Sequence, residues 1–256
     1  MAAGYGQLLR TRYAARLLAG TLVGRLPNAT GPLAVVLFAR AEGGSYALAG
    51  ALSAVYGLCN AVGQPLLGRA VDRYGQPRIM LPMVVSLSEL RRVRELVDEI
   101  ARERKVAERV SLGVMIETPA SAILSDQLSR EADFISIGTN DLTQYTLAMD
   151  RGNANLAPLI DAFHPAVLRL IAEAARGARA NGKPAGMCGG LAADPLAAPL
   201  LLGLGIDEFS VPPSAIPTIK ATIRSLDMER CREAAVKALQ QTTPEAVRAV
   251  AKEIQS

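Results

Sequence analysis

From residue 79 onward, short apolar runs alternate with amphipathic stretches, and each apolar run stops at a polar cluster. Leu112 to Ile116 ends at Glu117, and Phe134 to Ile137 ends at Gly138, Thr139, Asn140 and Asp141. A strand–helix alternation of this kind constrains the fold to parallel βαβ units. Five strands are expected: Ile79 to Val85 (interrupted by Pro82), Leu112 to Glu117, Phe134 to Gly138, Pro184 to Gly189 and Glu208 to Val211. Helices are expected over Ser88 to Lys105, Ala120 to Arg130, Pro165 to Ala180, Pro195 to Leu204 and Ser214 to Ser225. A helical turn is expected around Leu142 to Met149, and two further helices over Met228 to Gln240 and Pro244 to Ile254. Ser88 is the expected N-cap of the first of these. A closed barrel of this type needs eight strands, and five are counted here, so barrel and open sheet both stay open on the pattern alone.

Two carboxylates at the carboxyl ends of neighbouring parallel strands share a rim, which is where such folds place ligands. Glu117 and Asp141 are that pair, and oxygen ligands of this kind suit Mg²⁺. Taken singly, a strand-end carboxylate is more often a cap or a solvated group. Cys188 alone reads as a small core residue, and Arg151 as a surface charge. His164, the one histidine, stands before a Pro-started helix and reads as a helix-start residue.

The first 78 residues differ. They carry eight Arg, no Lys, one Asp and one Glu, whereas the remainder holds 20 Lys+Arg against 22 Asp+Glu. Ser45 to Gly68 is 24 residues without a charge, long enough to cross a bilayer. Leu17 to Ala39 is a second, weaker run containing Arg25, Pro27 and Pro32. Arginines flank the pair on both sides, so both ends are expected in the cytoplasm, with a turn near Glu42, Gly43 and Gly44 outside. A buried soluble hairpin is the alternative. The arginines flank apolar runs instead of joining aromatics on one surface, so nucleic acid is not an expected partner. Three widely spaced cysteines, Cys59, Cys188 and Cys231, argue against a disulfide framework.

Gly68-Arg-Ala-Val-Asp-Arg-Tyr-Gly-Gln-Pro-Arg78 resembles the basic loop after the second helix of major facilitator superfamily transporters, matching it at Gly68, Arg69, Asp72, Arg73, Gly75 and Arg78. The runs RIMLPM, MIETPASAILSDQLSREADFISIGTNDLTQYTLAMDRGN, FHPAVLRLI, GKPAGMCGGLAADPLAAPLLLGLGIDEFSV and SAIPTIKATIR resemble the C-terminal barrel of enzyme I of the bacterial phosphoenolpyruvate:sugar phosphotransferase system. That second resemblance implies an α/β fold. It would be a partial (β/α)8 TIM barrel of about the last five βα units, preceded by an α-helical hairpin that is read as transmembrane. The implied segments are a transporter-like hairpin over 1–78, a phosphoenolpyruvate-binding partial barrel over 79–225 and C-terminal helices over 226–256.

The same resemblance implies Mg²⁺ held by Glu117 and Asp141. It implies phosphate contacts from Asn140 and Arg151, and Cys188 as the acid that protonates the enolate to give pyruvate. The implied partners are phosphoenolpyruvate and pyruvate, a separate histidine-bearing phosphoacceptor domain and a second copy in a homodimer; the apolar runs of 1–78 add the membrane. The barrel part is then cytoplasmic. Gly190 stands where the family carries Glu, and the family's earlier barrel strands and phosphoacceptor domain have no counterpart in 1–78. The chain therefore reads as truncated and not turning over alone. A transporter fragment, or an inactive fusion product, stays open as an alternative.

Overall fold

The computed structural model describes residues 31–74, 78–105 and 109–255. Contacts divide the chain into two units, Met1–Gln76 and Pro77–Ser256.

In the first unit, α1 (Gly31–Ala41) and α2 (Tyr46–Tyr74) pack against one another. The turn expected at residues 42–44 joins them. Gly43 takes a positive φ of 79°, and the Arg40 guanidinium donates to the Gly44 carbonyl at 2.8 Å while lying over the Tyr46 ring. Among the described residues one helix is long and apolar enough to cross a membrane, through Tyr46–Gly63, and only 6% of that stretch is buried. Residues 17–30 of the expected first span, Arg25 among them, lie outside the described residues, as do Arg10, Arg12 and Arg16, which precede it. The part that is described, α1, has 11 residues. Among the described residues, then, one helix of spanning length is displayed, and the paired span is not shown.

The second unit is built on a five-stranded parallel sheet in the order β1-β2-β3-β4-β5. The strands are β1 (Arg78–Leu81), β2 (Ser111–Ile116), β3 (Phe134–Gly138), β4 (Ala185–Cys188) and β5 (Glu208–Phe209). The order never reverses. Right-handed crossovers then put successive helices on the same side, which is the winding of a β/α barrel and not of a doubly wound sheet. The helices are α3 (Leu87–Glu103), α4 (Pro119–Ile123), α5 (Ser125–Glu131), α6 (Thr139–Leu147), α7 (Pro165–Ala180) and α8 (Ala198–Leu204). They are followed by α9 (Ile216–Ser225), α10 (Met228–Leu239) and α11 (Pro244–Gln255).

One core joins the layers. Leu112, Val114, Ile116, Ile135, Ile137 and Met187 from the strands are buried with Leu128, Val167, Leu168 and Ile171 from the helices. Gly113 is where two strands meet tightly: a Cβ there would lie 2.3 Å from the Phe134 ring.

Several boundaries differ from the sequence expectation. The first strand ends at Leu81, because Pro82 removes a ladder donor and Met83 turns to φ 54°. The first helix is capped at Ser86, not Ser88, and its box partner is Glu89: the Glu89 carboxylate accepts from the Ser86 and Val85 amides at 3.1 and 2.8 Å. The helix expected over 120–130 is two helices, broken at Leu124 where ψ is 8°. Pro195 does not open its helix; α8 starts at Ala198. The strands at 185–188 and 208–209 are shorter than their apolar runs, because the flanking residues pair only at single backbone groups.

Candidate functional site

Strand register assembles the site. Ile116 lies opposite Ile137, and Gly138 lies opposite Cys188. Glu117, one residue beyond Ile116, therefore comes to the same rim as Gly138 and Cys188. Gly138 has no side chain, and a Cβ there would lie 2.8 Å from Glu117 Oε2. The glycine that ends β3 is what leaves room for the carboxylate that ends β2.

Glu117 is only 4% exposed. Its Oε1 accepts from the Met83 backbone N–H at 2.6 Å. Burial pushes its carboxyl pKa up, the Met83 amide pulls it down, the charge of Asp141 raises it and Arg151 lowers it; the net direction is up. Asp141 sits in the first turn of α6, where the helix dipole favours an anion. The Arg151 guanidinium donates to Asp141 Oδ1 at 2.6 Å, and the Arg151 backbone N–H donates to Gln144 Oε1 at 3.2 Å.

Cys188 closes the third side. Burial pushes its thiol pKa up, a hydrogen bond with Ser136 lowers it, and the charges of Glu117 and Asp141 raise it; the net direction is again up. The Thr139 hydroxyl donates to the Cys188 carbonyl at 2.9 Å. Gly189, next in the chain, holds φ 97°, and a Cβ there would lie 2.4 Å from Thr139 Oγ1. Asn140 Oδ1 accepts from the Gly190 amide at 2.9 Å, tying the first turn of α6 to the loop after β4. A Cβ at Gly190 would meet Asn140 Oδ1 at an ordinary 3.5 Å, so a side chain fits at that position.

All five candidate residues are thus brought to one rim, but they divide between two adjoining parts. Glu117, Asp141 and Cys188 form the carboxylate and thiol part. Asn140 and Arg151 also line a cleft of about 410 Å³ with Gly190, Asp161, Phe163 and Arg248. His164 lies outside this machinery: it caps α7, its Nδ1 accepting from the Ala166 amide at 3.2 Å.

Among the described residues no group of three or more His, Cys, Asp or Glu could hold a metal ion. Glu117 and Asp141 nonetheless fit a divalent cation of the Mg²⁺ type. Each has one oxygen engaged by a protein donor, leaving Glu117 Oε2 and Asp141 Oδ2, and Mg²⁺ takes one or two carboxylates with water and substrate phosphate completing its shell.

Sequence reasoning passed over Met83, Ser136, Asp161 and Arg248. Ser136 was discoverable, being a hydroxyl between Ile135 and Ile137 in a buried strand. Met83 carries no signal, since its contribution is a backbone amide.

Residues 66–228 match the family described as PEP-utilising enzyme, PEP-binding domain. A multiphosphoryl transfer protein of Xanthomonas campestris pv. campestris is 47% identical over 184 residues, 72% of this chain and 22% of the relative. A phosphoenolpyruvate-protein phosphotransferase of Lactococcus lactis subsp. cremoris is 45% identical over 171 residues, 65% of this chain and 30% of the relative. The chain thus spans less than a third of the length of either. Among solved structures, a citrate lyase from Burkholderia xenovorans aligns with a TM-score of 0.47 at 16% identity, over 71% of this chain and 64% of that one.

Proposed function

Because this chain belongs to the PEP-utilising enzymes through their PEP-binding domain, we propose that its second unit is a partial β/α barrel that binds phosphoenolpyruvate and serves phosphoryl transfer to a protein histidine. The observation that carries the reading is the rim itself: two carboxylates, a guanidinium and a protonated thiol converge where register aligns Gly138 with Cys188.

Arg151 and Asn140 grip the phosphate, Arg151 being oriented for this by Asp141 and Gln144. Glu117 and Asp141 would hold Mg²⁺, which would supply charge neutralisation on the phosphate. The bond between phosphorus and the enol oxygen breaks, and the phosphoryl group passes to an imidazole nitrogen of the acceptor. The electron pair remains on enolpyruvate, whose methylene carbon takes the Cys188 proton to give pyruvate and a thiolate. A raised thiol pKa keeps Cys188 protonated at neutral pH, as an acid must be. The acceptor histidine belongs to a separate domain, since His164 is committed to capping α7. A homodimer, with the barrel part in the cytoplasm, completes this reading.

Calorimetric titration of Mg²⁺-phosphoenolpyruvate into the chain tests it. Saturable binding that disappears in the Glu117→Ala, Asp141→Ala double variant is expected. A folded chain that binds nothing overturns the proposal.

A second reading concerns the first unit. Leu48, Leu52, Val55, Leu58 and Val62 of α2 are 46% to 66% exposed, an apolar surface suited to lipid. We propose that α2, whose last seven residues Gly68–Tyr74 carry Arg69, Asp72 and Arg73 of the transporter-like basic stretch as helix and not as the expected loop, inserts in a membrane. Recovery of the chain in carbonate-washed membranes supports this, and release by carbonate refutes it.

A further inference from the structure

The segment between α6 and α7 begins with the phosphate-side Arg151 and ends at the Asp161–His164 turn that opens α7. Its far end is fastened to the C-terminal helix. Arg248 of α11 makes a bidentate pair with Asp161, Nη1 to Oδ2 at 2.6 Å and Nη2 to Oδ1 at 2.8 Å. Asp161 Oδ1 also accepts from the Phe163 amide at 2.9 Å, and the Arg248 guanidinium lies 4.4 Å from the centre of the Phe163 ring. The pair is only partly exposed, at 36% and 24% of its side-chain surfaces. Planar, two-pronged pairing stacked on an aromatic face fixes direction as well as distance, in a way Lys cannot reproduce. Arg248, Asp161 and Phe163 line the same cleft as Asn140 and Arg151.

We infer that Arg248 is a positioning residue for the substrate site: through Asp161 and Phe163 it clasps the Arg151-bearing segment to α11 and so sets the cleft in which the phosphate is held. Its guanidinium is engaged by Asp161 and stacked on Phe163, so it acts through those two residues. Between its ends the segment is held by local turns at Asp150, Asn153, Leu156 and Ala157; Arg151 is tied to Asp141 and Gln144 at the near end, and Phe163 is buried in the core at the far end. Removing Arg248 frees the Asp161 carboxylate and uncovers the Phe163 ring, which loosens the far end and, through it, the stretch back to Arg151. The inference rests on the phosphoenolpyruvate reading for its ligand and on geometry alone for the clasp.

Two measurements separate those foundations. The first needs no ligand: limited trypsin digestion of the full chain, following cleavage after Arg151 by mass spectrometry. Arg248→Ala is expected to speed that cleavage about tenfold, an effect of the size that local coupling produces, with cleavage after Arg94 and Arg130 unchanged. The second is calorimetry with Mg²⁺-phosphoenolpyruvate, where the same variant is expected to weaken binding about fivefold. Arg248→Lys should recover little of either effect, and the charge-exchanged pair Arg248→Asp, Asp161→Arg should recover part of both. Uniformly faster cleavage at all sites means a loosened fold and overturns the clasp. So does an unchanged rate after Arg151. Faster cleavage after Arg151 in a chain that binds no phosphoenolpyruvate upholds the clasp and removes the ligand reading alone.

Discussion

The backbone amide of Met83 donates a 2.6 Å hydrogen bond to Glu117 Oε1, so the turn that follows one strand fixes the carboxylate just beyond the next. Met83 holds φ 54° to do so, a conformation uncommon for a side-chain-bearing residue. One amide does not offset the burial of Glu117 and the nearby Asp141 charge, and the carboxyl pKa stays raised. A raised carboxyl favours the protonated fold. Its stability contribution is present at low pH and is lost as pH rises through the folded value.

Glu117→Gln keeps the volume and the acceptor for Met83 while removing the charge. At pH 7 the variant should be more stable than the parent by about 1 kcal/mol, the pattern of a site that trades stability for function. The gain should vanish below about pH 4, where the parent carboxyl is protonated too. Thermal unfolding at the two pH values checks this. A variant less stable at pH 7 means that the ionised carboxylate is net favourable in the fold, contrary to the burial argument.

Cys188 should behave as an acid and not as a nucleophile. Burial and the two neighbouring carboxylates raise its thiol pKa beyond what the Ser136 hydrogen bond restores. Alkylation by iodoacetamide at pH 7, followed by mass spectrometry of the Cys188 peptide, should run about tenfold slower than for a free thiol. The rate should climb only as pH passes the ordinary thiol range. Rapid labelling at pH 7 points to a standing thiolate, which has no proton to give.

Much of this site was legible because strand ends are written in the sequence. Glu117 and Asp141 stand where apolar runs stop, and parallel strands bring such stops to one rim. The sheet followed for the same reason: buried runs such as Ile135 to Ile137 have few other places to go. What escaped were contacts between parts far apart in the chain. Asp161 and Arg248 are 87 positions apart, and neither carries a local signal. The Ser86 cap was missed because Ser88 lies two residues away and the choice between them depends on how the Met83 turn delivers the chain. The break at Leu124 was missed because helix propensity is continuous from Ala120 to Arg130. What interrupts it is packing: Ser125 Oγ reaches the Glu173 carbonyl at 3.1 Å, and Gly177 of α7 has space for no Cβ there.

Gly203 tests how closely α8 and α10 pack. A Cβ on it would lie 2.0 Å from the Cys231 carbonyl oxygen and 2.8 Å from Ala235 Cβ. The first neighbour is backbone and cannot rotate away. Gly203→Ala should therefore destabilise the second unit by about 2 kcal/mol, as overpacking does, despite the better helix propensity of Ala. Urea unfolding followed by circular dichroism measures it. A neutral or stabilising result means that the two helices sit further apart than described.

Asp133 governs the register on which the site depends. Its Oδ2 accepts from the Leu112 amide at 2.8 Å and from Arg94 at 2.7 Å, Arg109 pairs with Oδ1 at 3.1 Å, and its own amide donates to the Leu112 carbonyl at 2.9 Å. This reciprocal tie fixes Gly113 opposite Phe134, and hence Ile116 opposite Ile137 and Glu117 beside Gly138. Burial raises the Asp133 carboxyl, but the Leu112 amide and the two guanidinium groups outweigh it and hold the carboxyl below the ordinary range. A depressed carboxyl stabilises the fold above its unfolded value of about 3.9 and loses that contribution as pH falls through the folded value. Asp133→Asn should cost about 2 kcal/mol at pH 7, since one amide oxygen cannot serve three donors and Arg94 is left half-buried without its counter-charge. The cost should shrink steadily below pH 4 as the parent loses the same charge. Because the register slackens with it, the variant should also bind Mg²⁺-phosphoenolpyruvate more weakly, although no atom of Asp133 lies at the rim. Equal stability of parent and variant at pH 7 means that the Leu112 backbone pairing holds the strands unaided. Intact stability loss with unchanged binding means that register is fixed elsewhere along β2 and β3.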